Sequence, residues 1–279
     1  MTSLAIIAGK GNLPIDVALA AASMGFNVVV FPIQGQADAD FVGYQTVPIH
    51  LGSIRKTRSA ITQRRIKKLI MVGKVVWPSM ATLQPDLDGI KLLGKMITRG
   101  DDSVLRALAC YFAEKDIEVV GPECFLPNRK MPLGFVAGDK NIVEKVLNCR
   151  NEINIKYALS VLDALGSHDV GQSIIVQNGR VIAIEAAEGT DAMIARSEAL
   201  LDPTNGISCF VKIAKKAQDL RLDIPVFGCE TIHKAANVGL SLLAIESQRV
   251  LLADDLAMIK SHCEIHSISL IGIHRQGVS

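Results

Sequence analysis

At 279 residues the chain is long enough for two domains of roughly 100–200 residues each, and its 49% hydrophobic content supplies material for buried cores. Aromatics are only 4%, and the formal net charge of +2 is scattered rather than gathered in one stripe, so nucleic acid is not an expected partner. No apolar run reaches the roughly 18 residues of a membrane-crossing helix, the N-terminus does not read as a secretory signal, and six cysteines without a C-x-x-C pair suit a reducing cytoplasm.

The apolar bulk is Ile, Val, Leu and Ala, which suits parallel sheets covered by helices. Leu4–Ala8 reads as a strand, Gly9, Lys10, Gly11, Asn12 and Leu13 as a loop, Ile15–Met24 as a helix and Asn27–Phe31 as a second strand. That β-loop-α-β order opens a doubly wound sheet and predicts a Rossmann-like N-terminal domain. Glycines at 9 and 11 let backbone amides approach an anion at a helix start. The dinucleotide fingerprint is incomplete, because Pro14 takes its third position, and the G-K-S/T of a Walker loop is absent. An ordinary tight turn and an anion cradle both fit.

Arg55–Lys68 predicts a basic amphipathic helix, its face either solvated or turned to an anionic surface. Leu69–Val72 is a strand ending in GKVVWP, which carries the only tryptophan, Trp77. Ile90–Met96 reads as helix, and Asp101 and Asp102 open another over Ser103–Lys115. Two aspartates at a helix start serve as caps or as ligands for Mg2+ or a ribose. Ile117–Val120 is a further strand. The proline- and glycine-rich stretch 122–138 reads as a linker between an N-terminal domain at 1–121 and a C-terminal α/β catalytic domain at 139–279.

The second domain opens with helix over Asp139–Leu165, in one or two pieces. Gly171–Val176 and Arg180–Ala186 form a hairpin turning at Asn178-Gly179. Glu185, Glu188, Gly189, Thr190 and Asp191 then meet at a strand-to-helix junction, where Thr190 or Asp191 either caps the helix or binds a cation or sugar hydroxyl. Ile207–Ile213 is a strand leading into VKIAKKAQDLRLDIPVFG, which packs Lys212, Lys215, Lys216, Asp219, Arg221 and Asp223 between two apolar runs. Cations and carboxylates at strand ends are what a site for a phosphorylated ligand needs, and also what a solvated basic loop looks like. Helix Cys229–Val238, strand Leu240–Ile245, helix Asp254–His262 and strand Ser267–Ile271 complete a mixed-sheet α/β domain. His262 and His266 stand four apart without a zincin glutamate and mark a helix end.

LAIIAGKGNLP, GKVVWP, RGDDSVLR, DVGQSIIV, EAAEGTDAM and VKIAKKAQDLRLDIPVFG, the last followed by Thr231-Ile232, occur in the order of the LpxI family, which the chain resembles over nearly its whole length. Lys10 stands inside a loop the family commonly writes G-G-G, and Trp77 replaces a usual arginine. The resemblance implies two linked domains and a cytoplasmic enzyme, peripheral at the inner membrane. It implies hydrolysis of UDP-2,3-diacylglucosamine to UMP and 2,3-diacylglucosamine 1-phosphate, in lipid A biosynthesis, with Mg2+ or another divalent cation.

By carry-over, Asp223 is the essential carboxylate and a metal ligand, with Asp191 as a second ligand and Glu188 as a helper. Lys212, Lys215 and Arg221 stabilise the diphosphate charge. Gly9, Lys10, Gly11, Asn12, Leu13, Asp101 and Asp102 lie on the nucleotide side, and Glu188, Gly189, Thr190, Asp191 and Thr231 complete the substrate contacts. A homodimer is the expected assembly. A non-catalytic nucleotide-sugar module and an NAD-linked oxidoreductase are the competing readings, the latter disfavoured by the broken glycine fingerprint.

Overall fold

The computed structural model describes residues 2–76, 83, 85–92, 101–148 and 152–275; the side chains at 101–104, 146–148 and 152–153 are outside that description, as is Trp77. The chain divides into two compact units, Met1–Pro127 with Asp219–Asp223, and Asn128–Gln218 with Ile224–Ser279.

The N-terminal unit is built on β1 (Ser3–Ala8), β2 (Asn27–Pro32), β3 (Gln45–Thr46), β4 (Lys68–Val72) and β5 (Glu118–Val119), in the order β3-β2-β1-β4-β5. Every pairing is parallel, with β1 at the centre between β2 and β4. Helices α1 (Leu13–Ser23), α2 (Ile54–Gln63) and α3 (Asp101–Ala113) fall between the strands. Apolar strands without polar alternation belong in a sheet covered on both faces. One side of this sheet buries Val29, Phe31, Leu69, Ile61 and Phe112 together with Leu222, which arrives from far along the chain. The sheet bears out the Rossmann-like expectation in its strand order and direction.

Helix α2 ends earlier than its charge pattern predicts, because Arg65 takes a left-handed backbone (φ 55°) and releases Lys68 to head β4. Its basic face is largely engaged. Arg55 forks Asp88 with bonds of 3.1 and 3.0 Å, and Arg58 lies 3.5 Å over the Tyr111 ring while reaching Glu114 at 3.1 Å. Bonds from Arg55 and from the Tyr111 hydroxyl hold the Asp88 carboxyl well below the usual carboxylate range.

The C-terminal unit holds a six-stranded sheet in the order β6-β13-β11-β9-β7-β8. Its strands are β6 (Gly134–Ala137), β7 (Ser173–Gln177), β8 (Arg180–Ile184), β9 (Ser208–Lys212), β11 (Leu242–Glu246) and β13 (Ser269–Ile273). β9, β11 and β13 are parallel; β6 and β7 run against them, and β8 returns against β7. The β7–β8 turn has positive φ at Asn178 (47°) and Gly179 (75°), as the Asn-Gly signal requires. Two apolar layers cover the faces: α4 (Lys140–Asn148) and α5 (Glu152–Gly166) supply Val143, Ile155 and Leu159 to one. To the other, α6 (Gly189–Ser197), α7 (Cys229–Asn237) and α8 (Leu256–Ile265) supply Met193, Ile232 and Ile259.

One expectation changes here. The supposed linker 122–138 contains β6, an edge strand hydrogen-bonded to β13. Gly138 serves close packing, since a Cβ there would clash with the Ile268 carbonyl oxygen, whereas Gly134 sits in open space at a positive φ of 83°. The segment DIPVFG does form a short strand, β10 (Val226–Phe227), which pairs with β12 (Leu251–Leu252) outside the large sheet. Among the described residues no helix is long and apolar enough to cross a membrane.

Candidate active site

The C-terminal ends of parallel strands gather backbone and side-chain groups on one edge of a sheet. In the C-terminal unit that edge collects the ends of β9, β11, β13 and β8 and, because β7 is antiparallel, its start. Lys212 is the last residue of β9 and is buried, with Nζ donating to Thr190 Oγ1 at 3.2 Å. Thr190 donates in turn to Glu185 Oε1 at 2.9 Å. Glu185 follows β8, so EAAEGTDAM and the basic stretch, distant in sequence, meet at one strand end.

Charges fasten the loop after β9. Ala214 N–H donates to Glu246 Oε2 at 2.8 Å, and Lys215 pairs with Asp169 through its ammonium. Lys216 pairs with Asp163 at 2.7 Å, and Arg249 donates to the Lys215 carbonyl at 3.1 Å. Glu246, the last residue of β11, is almost fully buried, and Arg275 reaches it through Nε at 3.3 Å while also pairing with Asp163. Sequence reading passed over Glu246, Arg275, Arg249, Asp163 and Asp169. The available signal was a carboxylate ending an otherwise apolar strand.

Helix α6 begins at Gly189, whose φ of 80° needs glycine. Neither Thr190 nor Asp191 caps it: Glu188 is the cap residue and makes no side-chain cap bond. Arg196 instead grips Glu188 with bonds of 3.1 and 2.8 Å, lowering that carboxyl. Asp191 pairs with Lys234 of α7 at 2.9 Å, and Lys234 also reaches Glu230 at 2.6 Å. Burial alone would lower the Lys234 ammonium, but the two carboxylates outweigh it and hold it above its ordinary value. Thr231 sits in the first turn of α7, half-buried, after Cys229 N–H is taken by Asp254 Oδ2 at 2.7 Å.

Asp223 and Arg221 belong to the segment grouped with the N-terminal unit. Leu222 between them is buried in that unit's core, which leaves Arg221 exposed and Asp223 half-buried on either side. Arg221 forks Asp219 at 2.9 and 2.7 Å, and that fork holds the Asp219 carboxyl below its ordinary value. In the same unit the β1–α1 loop is pinned by paired bonds between Lys10 and Lys74, 2.8 and 3.0 Å. A Cβ on Gly9 would lie 2.8 Å from the Gly73 carbonyl oxygen, so backbone packing alone accounts for that glycine. Gly11 N–H donates to Asp38 Oδ1 at 2.7 Å, and Asn12 precedes α1 without a side-chain cap bond. Leu13, the first residue of α1, is buried. Asp101 and Asp102 begin α3, with side chains outside the description.

Among the described residues no group of three or more His, Cys, Asp or Glu converges as a metal cage. The donors are nevertheless hard oxygens, which suits Mg2+, an ion that commonly takes one or two carboxylates and completes its shell with substrate phosphates and water. Asp191 would share such a shell with its ion pair to Lys234, which engages Oδ2 at 2.9 Å.

Residues 3–129 match the LpxI N-terminal domain and residues 140–271 the LpxI C-terminal domain. A protein of Caulobacter vibrioides named UDP-2,3-diacylglucosamine pyrophosphatase LpxI is 29% identical over 99% of both chains. Among solved structures, Bordetella bronchiseptica WbmH in complex with NAD+ is 11% identical, with a TM-score of 0.27 over 42% of this chain and 37% of its own. A short chain dehydrogenase family protein of Francisella tularensis is 14% identical, with a TM-score of 0.28 over 99% and 98%.

Proposed function

The chain belongs to the LpxI family, and from that premise we propose that it hydrolyses the diphosphate of UDP-2,3-diacylglucosamine, giving UMP and 2,3-diacylglucosamine 1-phosphate in lipid A biosynthesis. The full-length match to a protein carrying that activity in its name carries the reading. The residues supply suitable chemistry. In the hydrolysis, water oxygen bonds to one phosphorus while the bridging oxygen leaves with the other phosphate. The protein's task is to place the water and neutralise oxygens that gain charge.

Asp223 orients that water and is the first candidate ligand for Mg2+, with Asp191 the second. When bound, the cation draws charge from the phosphate oxygens. Lys212, Lys215 and Arg221 meet the diphosphate as cations. Arg221 is held in a forked geometry by Asp219, which limits the rotamer freedom lost on binding. Thr190, Gly189, Glu188 and Thr231 are proposed substrate contacts in the C-terminal unit. In the N-terminal unit the β1–α1 loop (Gly9, Lys10, Gly11, Asn12, Leu13) and Asp101 and Asp102 are proposed for the nucleotide. An acylated substrate brings the protein to a membrane surface, and a homodimer is the proposed assembly; vesicle sedimentation and light scattering test these.

The deciding assay is UMP release from UDP-2,3-diacylglucosamine with and without Mg2+, for the wild type and Asp223→Ala. Metal-dependent release that falls roughly a hundredfold or more in the variant, with folding retained, is the expected result. Saturable binding of the substrate without release under any divalent metal would replace the enzyme by a nucleotide-sugar binding module.

A further inference from the structure

Two stretches shared with the family, 169–176 and 185–193, are built around one carboxylate to which the mechanism gives no role. Glu185 N–H donates to the Ser173 carbonyl at 2.9 Å. Its Oε2 accepts from Gln172 N–H at 3.3 Å and its Oε1 from the Thr190 hydroxyl at 2.9 Å. Gly171 sits at φ 61°, and a Cβ there would lie 2.1 Å from the Glu185 carbonyl oxygen. Only glycine lets that turn wrap the glutamate.

The chemistry runs on from there. A threonine hydroxyl has a single proton, and here it goes to Glu185. The Thr190 oxygen therefore faces Lys212 Nζ as an acceptor, at 3.2 Å. Ser173 and Lys212 are register partners in β7 and β9, and alternation puts them on the face of Ile175 and Phe210. The Ser173 hydroxyl there is buried with no hydrogen-bond partner among the described residues, so the strand end is not a closed network.

We propose that Glu185 is a positioning residue for Lys212: by taking the Thr190 proton it fixes that hydroxyl as an acceptor and sets where the ammonium stands at the end of β9. This rests on the reading in which Lys212 neutralises the diphosphate. A glutamate that merely stabilised the hairpin would change melting temperature and leave turnover alone.

The test compares Glu185→Ala, Thr190→Val, their double variant, Thr190→Ser and Lys212→Met. UMP release gives kcat and KM separately, and competitive isotope acetylation read by peptide mass spectrometry reports the reactivity of Lys212 independently of activity. Expected are losses in kcat on the order of 10–100-fold for Glu185→Ala and Thr190→Val. The double variant should stay within about twofold of Thr190→Val, because both single changes break one chain of bonds. Thr190→Ser, which keeps the hydroxyl, should lose clearly less kcat than Thr190→Val. Losses that multiply in the double variant, or a lowered melting temperature with unchanged kcat, overturn the proposal. If Lys212→Met keeps wild-type turnover, the role of Lys212 in the reaction fails instead. Positioning is then scored by acetylation alone: equally raised Lys212 labelling in Glu185→Ala and Thr190→Val sustains it, and unchanged labelling overturns it.

Discussion

Truncating Leu222 to alanine tests whether the segment bearing Asp223 is held in place by one side chain. Within the segment the amides of Leu222 and Asp223 both donate to the Asp219 carbonyl, at 2.9 and 3.1 Å. Leu222 ties it to the N-terminal core by its burial in the cluster of Phe31, Ile61 and Phe112. The change removes three carbons beyond Cβ, worth about 2.4 kcal/mol at about 0.8 kcal/mol each. A residual cavity brings the total to roughly 2–4 kcal/mol. If the segment can leave the core without global unfolding, the same 2.4 kcal/mol shifts its docked population against its released one by roughly fiftyfold.

Urea unfolding and UMP release, measured on the same preparations, read the two consequences separately. The expected result is a lower urea midpoint, a lower kcat, and substantial recovery of both in Leu222→Met, which refills most of the volume. Lost stability with unchanged kcat/KM would refute the idea that this anchor positions Asp223. Unchanged stability would refute the anchor itself.

Glu246→Gln should destabilise the C-terminal unit by about 1.5–3 kcal/mol in thermal or urea melts, because an uncharged amide replaces the buried carboxylate that accepts from Arg275 and Ala214 N–H, while Arg275 keeps Asp163. A loss under about 1 kcal/mol would mean water reaches that network. Burial pushes the thiols of Cys209, Cys229 and Cys263 up to about 12, whereas Cys110 and Cys124 are exposed. Iodoacetamide at pH 8 should therefore alkylate Cys110 and Cys124 first in peptide maps of native protein; early labelling of Cys263 would contradict its burial. Asp219 has a lowered carboxyl through its Arg221 fork. Such a group contributes its stability above its unfolded value and loses it as pH falls through the lowered folded value. Arg221→Ala should accordingly move the acid-unfolding midpoint to higher pH, and an unmoved midpoint would show the fork to be energetically silent.

Elements with a strong period and defined ends were legible in the sequence: β1, β2 and β4, the Asn178-Gly179 hairpin, and the apolar strands β9, β11 and β13 all fall where pattern places them. The alternating orders of strand and helix were enough for the two α/β sheets. β6, β3 and β12 were not, since β6 hides among prolines and glycines that ordinarily mark a linker, and β3 and β12 are two residues each. The site divides in the same way. Lys212 beside Thr190 could be guessed as types but not as neighbours, because their meeting depends on β7 lying between β8 and β9. Glu246 and Arg275 went unnoticed because an isolated charge at a strand end carries no periodic signal. Asp191 and Glu188 were read as ligand groups, yet their nearest cations, Lys234 and Arg196, come from other turns and are visible only in three dimensions.

The five residues Asp219–Asp223 group with the N-terminal unit although the chain on both sides of them belongs to the other. A cut between the two domain matches therefore separates the N-terminal unit from part of its own packing. A fragment ending at Pro127 would fold around a gap the size of one leucine, and a fragment starting at Asn128 would carry that leucine with no pocket of its own to bury it. Fission of the reading frame, or shuffling of either half onto a new partner, is penalised by this short loan of sequence.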